Sequence, residues 1–174
     1  VLAFDVSLFG PRYQGDERVI QFHQQVRERL AALPGVRSVG GISSLPLGGS
    51  ENLGFLQIEG TPPAKPGQEP VAEDRKVTPG YFDTLGVTMM TGRDFNEQDG
   101  PGQPRVCIIN EALAWEHFPG TDPLGKRLRF GGPNDPGPLV TIVGVARNVR
   151  GSSLETRPRA QVCFPMAQVT QNEM

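Results

Sequence analysis

Hydrophobic and polar positions alternate over residues 1–8, through Val1, Ala3, Phe4, Val6 and Leu8, and this period of two predicts a first strand. Gly10, Pro11 and Gly15 break it. Over residues 16–33 the period lengthens. Val19, Phe22, His23, Val26, Leu30 and Leu33 recur at helical spacing, with Arg18, Gln25 and Glu28 elsewhere. That predicts a helix, with Asp16 as its cap and Pro34-Gly35 as its stop. A strand at 36–42 would complete a β-α-β unit; a turn at 45–49 and a strand at 53–58 follow.

The four prolines between residues 60 and 70 predict an exposed loop, and residues 71–77 another strand. Residues 80–85 fit one helical turn closed by Gly86, with 87–90 extended and 96–104 a polar loop. Residues 106–109 form a short, wholly apolar strand. Asn110 can cap the helix after it, which would turn Leu113, Ala114, Trp115 and Phe118 inward and end at Pro119-Gly120. Strands at 124–130, 140–145 and 162–164, with a loop at 131–138, complete an α+β reading.

Composition narrows the function classes. At 174 residues the chain is one ordinary domain or two small lobes, and 37% hydrophobic with 21% charged residues argues against disorder. Twenty-two glycines and 17 prolines fit the many turns. Seventeen basic and 19 acidic residues give a net charge of -2, which speaks against general affinity for nucleic acid or an anionic membrane. Two His and two Cys leave little for a metal cluster. No apolar run reaches the length of a transmembrane helix, and no basic region precedes residues 1–8 as in a signal peptide. The start without Met, inside an alternating segment, reads as a piece of a longer protein.

Candidate chemistry is sparse. Residues 120–126 match the first seven positions of a phosphate loop, but Arg127 stands where Ser or Thr would hold Mg²⁺, and a helix rather than a strand precedes. A turn fits better. Nothing near His23 or His117 in sequence offers a nucleophile, and neither Ser43 nor Ser44 sits in a nucleophile elbow. Asp94, Glu97 and Asp99 lack EF-hand spacing. Arg147, Arg150, Arg157 and Arg159 lack the interleaved aromatics of a single-strand binder. Cys107 and Cys163 fall in separate strands; they are two small buried thiols or, if their strands are neighbours, a disulfide.

Four ordered segments carry a family resemblance. They are Leu33-Pro34-Gly35-Val36 with Leu45-Pro46-Leu47; Val77-Thr78-Pro79-Gly80-Tyr81-Phe82-Asp83-Thr84-Leu85-Gly86-Val87 running into Thr91-Gly92-Arg93-Asp94-Phe95 and Asp99; residues 106–114 with Phe118-Pro119 and Asp122-Pro123-Leu124-Gly125-Lys126; and Ile142-Val143-Gly144-Val145-Ala146 with a closing Phe164-Pro165. Together they resemble the MacB-like periplasmic core domain of ABC transporter permeases in the MacB/FtsX class, and more narrowly the large permeases of acidobacterial type. The chain departs from the family at Cys163, where an aromatic is usual, and at Cys107, near which a small aliphatic is usual.

The motif residues are structural in kind. Tyr81 and Phe82 can anchor a one-turn helix, Gly86 permits a reversal, Arg93 beside Asp94 can tie a loop to the sheet, and Gly144 in an apolar strand suggests close backbone approach or a bulge. Gly92, Phe95, Asn110 and Gly125 complete the set.

The resemblance implies two lobes: a β-α-β porter-like lobe from residues 1–88 with 155–174, and an inserted, strand-rich sabre-like lobe from 89–154. It implies a non-catalytic, cofactor-free domain outside the cytoplasmic membrane, belonging to a membrane protein. Such a domain transmits ATP-driven motion to a substrate or partner. Its partners would be the transmembrane helices of the parent permease, a cytoplasmic ABC ATPase indirectly, a second permease copy and a periplasmic protein. The alternative is a free-standing extracytoplasmic protein that binds a small molecule between two lobes.

Overall fold

The computed structural model describes residues 1–13, 15–45, 52–62, 64–65, 67–132, 135, 137–149 and 158–169. Most of the turn expected at 45–49, parts of the 60–70 and 131–138 loops, Arg150 and Arg157 lie outside the described residues. In chain order the elements are α1 (Asp16–Ala31), β1 (Leu53–Ile58), β2 (Val71–Val77), α2 (Tyr81–Leu85), β3 (Met89–Gly92), β4 (Val106–Asn110), α3 (Glu111–His117), β5 (Arg127–Gly131), β6 (Leu139–Ala146) and β7 (Gln161–Pro165). The architecture is mixed α/β, rich in strand.

Among the described residues all seven strands belong to one sheet, in the order β3-β6-β4-β7-β2-β1-β5. β5 also pairs with β6, so six of the strands close into a ring and β3 is appended to it. The parallel pairs are β2 with β7 and β4 with β6; the rest are antiparallel. β6 is the hub. One side carries β4; the other carries β5 against its first residues and β3 against its last.

Two apolar clusters lie on the two faces of this sheet. The alternation along β4 shows the division: Cys107 and Ile109 enter one cluster, with Leu56, Leu128, Val140, Ile142 and Val162. Val106 and Ile108 enter the other, with Val77, Tyr81, Phe82, Phe95 and Cys163. Along β6 the alternation slips. Val140, Ile142 and Val145 share a face because the register shifts opposite Cys107 and Ile108, leaving one extra residue on β6.

The N-terminal expectations are corrected. Residues 1–8 form no strand; Val1 is 95% exposed and Leu2 90%. An alternating pattern states which side chains prefer burial, but a strand also needs a ladder partner, and none of the named pairings reaches this segment. The expected strand at 36–42 reduces to one bridge, Ile42 with Val77. The chain there is pressed against α2 instead: a Cβ on Gly40 would lie 2.4 Å from Tyr81 Cα. Neither flank of α1 is therefore a strand, and the β-α-β unit does not form among the described residues. Helix α1 ends at Ala31, and its N-cap is Gly15 without a side-chain capping bond; Asp16 is its first residue, where a carboxylate favours the helix dipole. Trp115 points outward, 68% exposed, while Leu113 and Phe118 turn in.

Candidate functional site

The motif residues do not converge on one reactive centre. They brace the sheet at several points. Tyr81 and Phe82 are buried side by side, ring centroids 5.1 Å apart and edge to face, in the second cluster. Burial raises the pKa of the Tyr81 phenol. Gly86 caps their helix in the left-handed conformation, and Val87 N–H donates to the Phe82 carbonyl at 2.8 Å. Phe95 is buried in the same cluster. Gly125 sits in the turn before β5 and donates to the Ile142 carbonyl at 2.9 Å.

Arg93 ties its loop to the sheet through Asp99 rather than through neighbouring Asp94. Its guanidinium donates to both Asp99 carboxylate oxygens, at 2.7 and 2.8 Å, and its backbone N–H donates to the Val143 carbonyl at 3.0 Å. Burial opposes ionisation of Asp99; the Arg93 bridge and the Asn96 N–H outweigh it, and its pKa lies below the ordinary value. Asp94 goes the other way, its pKa raised by burial. Gly92 and Gly144 stand at a contact too close for side chains: a Cβ on Gly144 would lie 2.5 Å from the Arg93 carbonyl oxygen, and one on Gly92 2.2 Å from that of Val143.

Asn110 is a three-way clasp. Its Oδ1 accepts from Leu113 N–H at 3.0 Å, capping α3, and from Gln161 N–H at 3.0 Å; its Nδ2 donates to the Arg159 carbonyl at 2.8 Å. The cysteines are both free and buried. They face opposite clusters, Cys107 the first and Cys163 the second, so the sheet lies between them and no disulfide joins them. Burial raises both thiol pKa values, that of Cys163 to about 12.

The feature that the sequence reading passed over is in β2. Glu73, Asp74, Arg75 and Lys76 are consecutive and all buried. The signal was present: each acid is followed two residues later by a base, so each face of the strand receives an opposite-charge pair. Arg75 reaches Glu73 at 3.2 Å, and Lys76 Nζ reaches Asp74 Oδ2 at 2.5 Å. Asp74 Oδ1 is buried without a hydrogen-bond partner.

A cavity of about 540 Å³ opens beside these charges. Its place follows from the topology. β1 covers the edge of β2 at residues 71–73, and Ile42 bridges at residue 77. Between them the edge is covered by isolated contacts: Asp74 N–H donates to the Asn52 carbonyl, and Lys76 is held by Ser43, its N–H donating to Ser43 Oγ and its carbonyl accepting from Ser43 N–H. The cavity sits there, with α1 as its opposite wall. His23 lies on that wall, its pKa lowered by burial. His117 lies elsewhere, at the end of α3, its buried Nε2 without a hydrogen-bond partner and 3.7 Å from Glu116 Oε1. Among the described residues no three His, Cys, Asp or Glu side chains gather as metal ligands, and no helix is long and apolar enough to cross a membrane.

Comparison with known proteins decides the family. The sequence model of the MacB-like periplasmic core domain matches residues 8–174. The chain belongs to that family. It is similar to the macrolide export ATP-binding/permease protein MacB of Neisseria gonorrhoeae and of Neisseria meningitidis, 38% identical over 50 residues, which cover 29% of this chain and 8% of those proteins. Its fold is similar to the crystal structure of the periplasmic region of MacB from Actinobacillus actinomycetemcomitans, with a TM-score of 0.56 and 20% identity over 84% of this chain and 56% of that one. The extracellular domain of the noncanonic ABC-type transporter YknZ from Gram-positive bacteria gives 0.53 and 19%, over 82% and 62%. The chain thus spans less than two thirds of each of these relatives. As a MacB-like core domain it is a part of an ABC transporter permease, of the part that lies outside the membrane.

Proposed function

We propose that this domain is a non-catalytic transmitter. It carries ATP-driven movement of the parent permease to a substrate or partner protein outside the cytoplasmic membrane. The family match over residues 8–174 carries this reading. The bracing supports it, because a lever must be stiff. Six strands close on themselves, the Arg93–Asp99 bridge holds one loop, and Asn110 locks β4, α3 and β7 together. In this reading the parent's transmembrane helices drive the domain, a cytoplasmic ABC ATPase acts through them, and a second permease copy faces it.

The division into a porter-like lobe, 1–88 with 155–174, and a sabre-like lobe, 89–154, belongs to the same proposal. The sheet is continuous across that division, since β1 pairs with β5 and β7 pairs with β4. The two parts would therefore move as one body, and relative motion would occur between permease copies. The test is a spin label on Glu116→Cys, an exposed position on α3, in the full-length permease with its ATPase. The distance between copies is read in the nucleotide-free and ATP-trapped states. A shift of several ångströms is expected; identical distance distributions in the two states overturn the proposal.

A further inference from the structure

We propose that α1 is a pivoting arm: its C-terminal half is latched to the body of the domain, and its N-terminal half swings over the gap beside β2. The sheet itself stays fixed, so the inference holds whether or not the domain transmits movement.

The two halves of α1 stand differently on the body. The gap of about 540 Å³ lies against the first half, at Asp16, Val19, Ile20 and His23. Between the second half and the loop at 96–100 a separate pocket, reaching as far as Arg27, holds only about 60 Å³. The second half is also tied. Arg27 pairs with Glu97 of that loop. The loop is braced in turn, because Arg93 grips the Asp99 carboxylate and Asn96 N–H donates to it at 2.9 Å. The chain leaving α1 is clamped soon afterwards. Gly41 N–H donates to Thr78 Oγ1 at 2.8 Å, and the Gly41 carbonyl accepts from Thr78 N–H at 3.0 Å.

The first half has weaker holds. Val19 is the only buried residue among the sixteen of α1. No side chain caps the helix at Gly15, and the chain leading into it is exposed at residues 1–7 and 9–12. A helix clamped at one end and thinly packed at the other opens locally at the thin end first. Opposed forces poise it there. Closing on the gap would bury Val19, Ile20, Ile42 and Met166. It would also strip water from Ser43 and Asn52 on the facing wall. An inward swing covers the open edge of β2, and an outward one admits water to it.

The experiment reads the two ends of the arm by double electron–electron resonance on the 174-residue chain. Cys107 and Cys163 are buried, so introduced cysteines take the spin labels. One label sits on Glu116→Cys of α3, the other on Glu17→Cys or Glu28→Cys of α1, all exposed positions. The line shape of each single label controls for motion of the label itself. The distance distribution from residue 17 should be at least twice as wide as that from residue 28. Arg27→Ala should widen the distribution from residue 28 towards that from residue 17, with the thermal midpoint little changed, because a largely exposed ion pair contributes little stability. Equal widths before that substitution, both narrow or both broad, overturn the proposal. So does a distribution from residue 28 that Arg27→Ala leaves unaltered.

Discussion

Replacing Asn110 by Ala tests whether one side chain holds three elements together. The structure gives the magnitude. The amide caps α3 through Leu113 N–H, and loss of an N-cap costs about 1 kcal/mol. It also accepts from Gln161 N–H and donates to the Arg159 carbonyl, joining the end of β4 to the entry into β7. Asn110 is buried, so Ala would strip these groups of their partner where water enters poorly, at about 1–3 kcal/mol for each group left unsatisfied. Allowing for partial relaxation, the total is about 3–4 kcal/mol. In a chain of this size that lowers the thermal midpoint by roughly 6–16 °C. Urea unfolding followed by circular dichroism reads it directly. Asn110→Ser is the control, since it keeps a capping oxygen but is too short to span to Arg159. It should recover about 1 kcal/mol and no more. A loss below about 1 kcal/mol for Ala, or complete recovery by Ser, would refute the clasp and leave only a helix cap.

Gly144→Ala should destabilise by roughly 2–4 kcal/mol, because its Cβ would press on the Arg93 carbonyl oxygen and on Met89 Cε, and the backbone contact cannot give way; a denaturation midpoint equal to that of the parent chain contradicts this. Asp99 has a folded pKa below its unfolded value of about 4, so its bridge stabilises above that pH and is lost as the pH falls through the folded pKa. Arg93→Ala should therefore begin acid unfolding at a higher pH than the parent. Asp94 has the opposite sign: its pKa is raised, so its ionised form opposes folding at neutral pH, and Asp94→Asn should stabilise more at pH 7 than at pH 3. The two thiols, both buried with raised pKa values, should not react with a disulfide reagent in the folded chain at pH 8 and should both react after unfolding in guanidinium.

What the sequence revealed, and what it hid, divides along the line between local and non-local causes. β1 and β2 have the bounds expected from the turn residues around them, and Asn110 caps α3 as its position before the apolar helix face suggested. These depend on a few neighbouring residues. Residues 1–8 carry as clear an alternation as any strand here yet pair with no strand among the described residues, because pairing depends on a distant edge that the local pattern does not report. The segment before Ile42 was claimed by a tertiary contact, the approach of Gly40 to Tyr81. The hydrophobicity of Trp115 favours the inner side of α3, but the helix is only seven residues long and Leu113 with Phe118 supply its buried side. Ring closure through the second pairing of β5 has no local signature at all.

Whether the fold needs the buried charges of β2 can be decided by substitution. Burying an ion pair gains little over apolar residues of the same size, whereas removing one partner leaves a naked charge and costs about 3–5 kcal/mol. Lys76→Met alone should therefore destabilise the chain by that amount, since Asp74 would keep a buried carboxylate with neither oxygen bridged to a cation. Asp74→Leu combined with Lys76→Met removes both charges and the orphaned acceptor together, and should lie within about 1 kcal/mol of the parent or above it. Urea unfolding of the two variants gives the comparison. A double variant as unstable as the single one would mean that the pair itself stabilises β2, and that the strand keeps its charges for the sake of folding. Recovery in the double variant means that the fold does not need them.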